Sequence, residues 1–322
     1  MVARPDGKTE SGKTAYKITG KFYGVKRFDE VVLPCGQCIG CRLDKSRTWA
    51  NRMMMELKYH QSAFFITLTY DDEHLPMTYY HTDDDGVIDE AYQVGTLVKS
   101  DLQKFMKRLR RYQEYHYGNQ DVMFYACGEY GTHTHRPHYH LIVYDVIFDD
   151  LKKFGRSRAG NFQYYQSDTL SKLWPFGFHG ISFVSWETCA YVARYVTKKL
   201  YGDAAEFYDY FNIVPEFSVM STRPAIGLRY YEDHKDDIYE FDKLIFSTPQ
   251  GNVNTRPPAY FDKKYDIEYP EQMKAIKDVR RRSAQLSVDA ILNDKYMEYT
   301  TVLDNKRLYK EHSAKSLRRS LE

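Results

Sequence analysis

Residues 136–146 read Arg-Pro-His-Tyr-His-Leu-Ile-Val-Tyr-Asp-Val, and their alternation decides the fold. On a β-strand, residues i and i+2 share a face. His138 and His140 therefore point one way, while Tyr139, Leu141 and Val143 point the other. Such a strand buries its apolar side and keeps two imidazoles together on the opposite one, which places it inside a sheet. Both rings can reach a single metal ion. By itself the pair fits equally well two histidines on a solvated sheet face.

The flanking sequence extends this reading. Val122 to Cys127 reads as a strand, and the polar stretch Gly128 to Pro137 reads as a turn into the histidine strand. The two are expected to pair antiparallel. Glu129 then falls beside the histidines. Two imidazoles and a carboxylate leave coordination positions open for water and a phosphate oxygen, as suits Mg²⁺ or Mn²⁺. A turn-capping surface role for Glu129 is the plainer alternative. His133 and His135 lie in the turn as competing ligands. Upstream, Phe64 to Tyr70 is rich in β-branched and aromatic residues and reads as a buried strand.

Helices and loops fill the intervals. Trp49 to Tyr59 has helical spacing, with Met53, Met54 and Leu57 on one face. Asp71 to Val98 is acidic and polar and reads as a loop or hairpin insertion. Ser100 or Asp101 is a candidate cap for the next helix. That helix carries Leu102, Phe105, Met106 and Leu109 on one stripe and basic residues elsewhere. Its basic side is either a solvated face or a contact for a DNA backbone. Asp168 to Trp174 reads as a short helix, Gly180 to Trp186 as a strand and Glu187 to Leu200 as a helix. From Gln272 onward the pattern is helical and basic. Its Arg280–Arg282 run and the Lys306–Arg319 segment either hold DNA or a partner or form an exposed helix.

The helix Tyr191-Val-Ala-Arg-Tyr195-Val-Thr-Lys198-Lys199 carries the second chemical signal. At about 100° per residue, its two tyrosines and two lysines crowd one face. A phenol is a weak nucleophile at neutral pH; a nearby cation favours the phenolate and offsets charge on a five-coordinate phosphate. The plainer reading is two half-buried tyrosines on an amphipathic helix.

Cys35-x-x-Cys38-x-x-Cys41 sits in a turn-rich stretch. Three thiolates at this spacing can hold Zn²⁺, although a closed structural site takes four ligands, with Cys127, Cys189 or His60 as the candidates for the fourth. A tight turn with free or packed thiols is the alternative.

Composition sets the boundaries. The chain has 322 residues, 43% hydrophobic and 16% aromatic, which fits a folded protein of one large or two modest domains. Its 30 tyrosines suit base stacking or an aromatic-rich core. A net charge of +2 demands no polyanionic partner, so local basic clusters matter more. Five cysteines do not read as a secreted framework, the N-terminal MVARPDGKTE is polar, and no apolar run nears the roughly 20 residues of a membrane span. A reducing cytoplasm is the expected setting.

Taken in order, FITLTY (65–70), GEYG (128–131), RPHYHLIVY (136–144) and YVARYVTKK (191–199) resemble the HUH endonuclease superfamily. The paired tyrosines are similar to those of its two-tyrosine replication initiators. PCGQCIGCR (34–42), FGFHGISFVSW (176–186) and STRPAIG (221–227) bring the pattern close to the initiators of gokushovirus-type microviruses. The resemblance covers roughly residues 33 to 230. Tyr139 departs from it, since the family usually has an apolar residue between the histidines.

What the resemblance implies is specific. The fold is α+β, a central antiparallel sheet with flanking helices and a C-terminal helical extension. The expected division is an arm at 1–30, a nicking and joining domain at 31–205 and an accessory region at 206–322. His138, His140 and Glu129 hold Mg²⁺ or Mn²⁺. Tyr191 or Tyr195 attacks the scissile phosphate, leaving a 5′-phosphotyrosine and a free 3′-OH, and Lys198 or Lys199 assists. Thr67, Thr69, Arg136 and Arg194 are DNA-contacting candidates. The implied partners are single-stranded origin DNA and a host helicase and polymerase, in the cytoplasm of an infected bacterium, with no membrane and no small-molecule cofactor. A relaxase or transposase of the same chemistry, and a non-enzymatic single-strand-binding module, are the alternatives weighed.

Overall fold

The computed structural model describes all residues except 10–11, 13, 21–29, 82–87, 132–133, 157–161, 196–198, 249–250, 294–297 and 317–322. In chain order the N-terminal part runs β1 (Val2–Lys8), β2 (Thr14–Gly20), β3 (Val31–Val32), α1 (Ile39–Leu57), β4 (Ala63–Tyr70), β5 (Met77–His81), β6 (Ile88–Gly95) and α2 (Lys99–Tyr117). The middle part runs β7 (Phe124–Tyr130), β8 (Pro137–Tyr144), β9 (Lys152–Arg156), β10 (Gln163–Gln166), α3 (Asp168–Leu173), β11 (Gly177–Phe183) and α4 (Trp186–Arg194). The remainder is α5 (Glu206–Tyr210), β12 (Phe217–Met220), α6 (Leu228–Phe241), β13 (Leu244–Thr248), β14 (Gly251–Thr255), α7 (Ala259–Glu268), α8 (Pro270–Leu292) and α9 (Tyr299–Ser316). No described helix is long and apolar enough to cross a membrane.

The chain divides into two compact units, one of Met1–Arg42 with the chain from Asp236 onward, the other of Leu43–Lys235. The expected boundary near residue 205 is therefore not where the contacts part. Strand β12, beyond it, pairs with β7 and completes the central sheet. In the first unit β1 lies between β2 and β3, β13 and β14 form a hairpin, and α7 packs with α8. Arg280, part of the basic run, is drawn inward there: its guanidinium bonds both Asp242 and Asp262.

The second unit is built on an antiparallel sheet in the order β12-β7-β8-β4-β11-β10-β9. This is the α+β architecture expected, with β8 at an inner position. One face packs Ile66, Leu68 and Tyr70 of β4 and Tyr139, Leu141 and Val143 of β8 against Leu102, Phe105 and Leu109 of α2 and Leu170 and Leu173 of α3. The other packs Phe65, Tyr125, Ile142 and Tyr144 against Ala50 and Met53 of α1 and Tyr191, Val192 and Tyr195 at α4. Each fully buried large side chain contributes about 1.5–3 kcal/mol, so both faces must be covered for the sheet to persist. Tyr70, Tyr125, Tyr139 and Tyr144 are all fully buried, so part of the tyrosine content is core.

Tyr139 explains two departures from expectation. Its ring is buried on the α2 side, but its hydroxyl accepts the Val98 N–H at 2.8 Å and donates to the Val98 carbonyl at 3.0 Å. Val98, not Ser100 or Asp101, is the N-cap of α2, and it has no side-chain cap. Asp101 instead accepts from the Tyr70 hydroxyl at 2.9 Å. The phenols behind the sheet thus do the work that a capping side chain does elsewhere. On α2, Arg108 donates to the Leu173 carbonyl and Arg110 to that of Val122, so two of its basic residues serve the fold.

The seam between β4 and β11 depends on Gly177, whose φ is +143°. A Cβ there would lie 2.3 Å from the Asp71 nitrogen and 2.6 Å from the Thr69 oxygen, both backbone atoms that cannot yield.

His60 forms a buried ionic hinge between α1 and β4. Its Nε2 is 2.9 Å from Glu56 Oε1 and its Nδ1 is 2.5 Å from Asp145 Oδ2. Burial favours the neutral ring, but the two carboxylates outweigh it and raise the His60 pKa. A proton held more tightly in the folded state stabilises fully below the unfolded pKa of about 6.5 and is lost as pH climbs through the folded value. His60→Gln is expected to cost on the order of 3 kcal/mol at the acid end of this window. Urea unfolding across pH should show the gap to wild type narrowing as pH rises; a gap that widens contradicts the assignment.

Candidate active site

The sheet register sorts one face of the second unit into rows. Tyr125, Ile142, Phe65 and Ser182 stand side by side; the next row is Cys127, His140, Thr67 and Gly180; the next is Glu129, His138, Thr69 and Phe178. The rows run from apolar to chemically active along the strands. Period two puts all these side chains on one face, because each strand contributes alternate residues.

The two histidines are held from β4. Thr67 Oγ1 is 3.0 Å from His140 Nδ1, and Thr69 Oγ1 is 2.9 Å from His138 Nδ1. Both threonine hydroxyls therefore orient a ring and leave its Nε2 as the forward atom. His140 Nε2 lies 2.8 Å from Glu129 Oε1, a carboxylate with no solvent exposure. Gly131 backs His138: a Cβ there would come within 2.9 Å of His138 Nε2.

Helix α4 brings the tyrosines. A capping box starts it, with the Ser185 hydroxyl accepting the Thr188 N–H and the Thr188 hydroxyl accepting the Ser185 N–H. The helix packs across β7 and β8. Tyr195 stacks on His140, centroids 4.9 Å apart and planes 6° from parallel. Tyr191 meets the same imidazole edge-on at 5.3 Å, and the two phenol rings are perpendicular at 4.9 Å. Phe65 stacks against His140 from another side at 5.8 Å. Burial foremost, then the Glu129 carboxylate and Tyr191, pushes the Tyr195 phenol well above its ordinary pKa.

The helix is shorter than expected. It ends at Arg194, with Tyr195 as C-cap and its N–H bonded to the Val192 carbonyl, the tighter spacing of a closing turn. Hence Tyr191 and Tyr195 share a helical face, but the run to Leu200 does not continue it. Lys198 lies outside the described residues. Lys199 has left the helix, and its Nζ lies over the Tyr201 ring at 6.0 Å. Arg136, a DNA-contact candidate, spends its guanidinium on the Tyr70 carbonyl at 2.8 Å and on Asp72. Arg194 is half-buried in the last turn of α4. Thr67 and Thr69, expected at DNA, face the histidines instead. His135 is exposed in the turn, and His133 lies outside the described residues.

The donor chemistry at Glu129, His138 and His140 fits a hard divalent cation. Two of the donors already meet, and the third stands in the adjoining cross-strand position. The set is open: among the described residues, only the thiols of Cys35, Cys38 and Cys41 have ligand atoms all within 4.8 Å of one another. Cys127 and Cys189 are buried in the apolar layer and His60 is bound to its carboxylates, so none of them completes the thiol group. At Cys35, burial raises the thiol pKa, but hydrogen bonds led by the Cys38 and Gln37 N–H groups prevail and lower it to about 7.

Three participants escaped the sequence reading. Gly131 and Phe65 declare themselves only through neighbours distant in sequence. Phe178, opposite Thr69 and 67% exposed, was legible as a strand aromatic, but its place beside the histidines follows from the β4–β11 register.

Comparison with known proteins agrees with this geometry. A family model for replication-associated proteins of the ORF2 type matches residues 63–200, the span from β4 past both tyrosines. The chain is 33% identical over 293 residues to "Replication-associated protein ORF2" of Spiroplasma virus 4, covering 90% of this chain and 86% of that protein. It is 28% identical over 284 residues to "Replication-associated protein VP4" of Bdellovibrio phage phiMH2K, covering 85% and 82%. It is 32% identical over 181 residues to "Replication-associated protein ORF4" of Chlamydia phage 1, covering 55% and 41%. No solved structure matches. The chain thus belongs to the family of phage replication-associated proteins, as its ordered motifs implied.

Proposed function

We propose that this protein initiates rolling-circle replication by nicking single-stranded origin DNA through a tyrosine and later rejoining the strand. The observation that carries the reading is the convergence of Tyr191 and Tyr195 on His140, whose Nε2 contacts Glu129 in the row beside His138. Two phenols beside two imidazoles and a buried carboxylate form a set suited to phosphodiester transfer, and a purely binding module has no need of it.

Glu129, His138 and His140 are the residues to hold Mg²⁺ or Mn²⁺. When bound, the cation supplies charge stabilisation for the phosphate as it becomes five-coordinate. The phenol oxygen of Tyr191 or Tyr195 forms a bond to phosphorus and gives up its proton. The bond to the 3′ oxygen breaks, and that oxygen takes a proton to become the free 3′-OH that primes synthesis. The phosphotyrosine keeps the energy of the broken linkage, so rejoining is the reverse attack by a 3′-OH and consumes no nucleotide. The second tyrosine is there to cut the junction after one round. Burial and the Glu129 charge hold the Tyr195 proton in place, which keeps that phenol unreactive toward water. A host helicase and polymerase in the bacterial cytoplasm are the expected partners.

Three measurements test this reading. Origin-bearing single-stranded DNA incubated with Mg²⁺ or Mn²⁺ should give a covalent protein–DNA band on a denaturing gel. The band should vanish in Tyr191→Phe plus Tyr195→Phe. A band that persists in the double variant, or none from wild type with either metal, overturns the assignment. Thr67→Val and Thr69→Val release the imidazole Nδ1 atoms and should weaken Mn²⁺ binding about 10- to 100-fold by calorimetry; unchanged binding would place the ion elsewhere. Exposed Phe178 is positioned to stack a base beside the histidine row. Phe178→Ala should weaken binding of a single-stranded oligonucleotide by about 1–3 kcal/mol in fluorescence anisotropy, with the fold intact.

A further inference from the structure

We propose that Cys35, Cys38 and Cys41 form a Zn²⁺ site, three thiolates with a fourth ligand drawn from solvent, separate from the Glu129–His138–His140 set. The three sulfurs lie within 4.8 Å of one another, and Cys35 Sγ is 3.9 Å from Cys41 Sγ. Zinc–thiolate bonds of about 2.3 Å in a tetrahedron put sulfurs nearly 4 Å apart. That is the spacing of thiols sharing one ion. An iron–sulfur cluster hangs its thiolates on different irons and holds them farther apart. The same spacing is far beyond a disulfide bond, and all three cysteines are free.

The backbone is arranged around the sulfurs. Gly36 has φ +75°, which lets the chain turn back so that the Cys38 N–H donates to Cys35 Sγ at 3.2 Å. Cys38 precedes α1 by one residue and Cys41 lies in its first turn, where the helix N-terminus favours negative sulfur. Three thiolates on Zn²⁺ carry a net single negative charge, and a cation stands by to offset it. Lys310 Nζ and Cys38 Sγ flank one point beside Gly40, at 3.1 and 3.9 Å. The half-exposed position of the group leaves room for a water as fourth ligand. Such a site closes a short loop onto the start of α1.

The test is elemental analysis of the full chain purified without chelator. One zinc per chain is expected, released by a mercurial reagent and registered by a chromogenic dye. Zinc should remain in His140→Ala and be lost in Cys38→Ser plus Cys41→Ser. Exchange for Co²⁺ should give thiolate-to-cobalt charge transfer and the visible bands of a tetrahedral ion. Because the serine variant can fail to fold, the cobalt spectrum is taken on wild type and decides by itself. Three outcomes overturn the proposal: no zinc in wild type, zinc surviving the double serine change, or iron with sulfide in its place. Loss of zinc in His140→Ala alone would instead assign the ion to the histidine site. The tyrosine adduct assay reads neither outcome, so the two proposals fail separately.

Discussion

Strict alternation along β8 is the constraint on which the site depends. Its odd-numbered residues Tyr139, Leu141 and Val143 are buried against α2 and α3. Its even-numbered residues His138 and His140 are thereby committed to the opposite face, and a slip of one residue would exchange the two sets. Pairing with β4 and β7 on both sides makes such a slip costly, since every cross-strand partner would change as well. Core and chemistry are specified together, by one register.

Much of this was legible because the signals are local. Period two at 138–143, the β-branched run at 64–70 and the strand before Glu129 each announce themselves within a few residues. What stayed hidden was partner choice. Nothing in the local sequence says that Thr67 and Thr69 sit opposite His140 and His138, yet that pairing turns two presumed DNA contacts into supports for the rings. Arg136 has the charge of a phosphate ligand but meets a carbonyl and a carboxylate on a neighbouring loop. The end of α4 was also opaque. The stretch from Glu187 to Leu200 lacks proline and glycine, so composition gives no stop, and only the closing hydrogen bond at Tyr195 marks it.

Family membership and geometry bear on different questions. The relatives establish that the chain is a phage replication-associated protein. The cross-strand rows explain why residues 63–200 recur as a unit: they hold β4, β7, β8 and α4, the elements that furnish the histidines, the glutamate and both tyrosines.

The far side of the sheet has its own logic. Strand β9 is the outermost, all its residues are exposed, and Lys152, Lys153 and Arg156 make three of its five positions basic. An unpaired rim of backbone donors and acceptors invites another chain to extend the ladder. A second copy approaching edge to edge meets like charge at each step, so many molecules crowded on one genome can work side by side without zipping into aggregates.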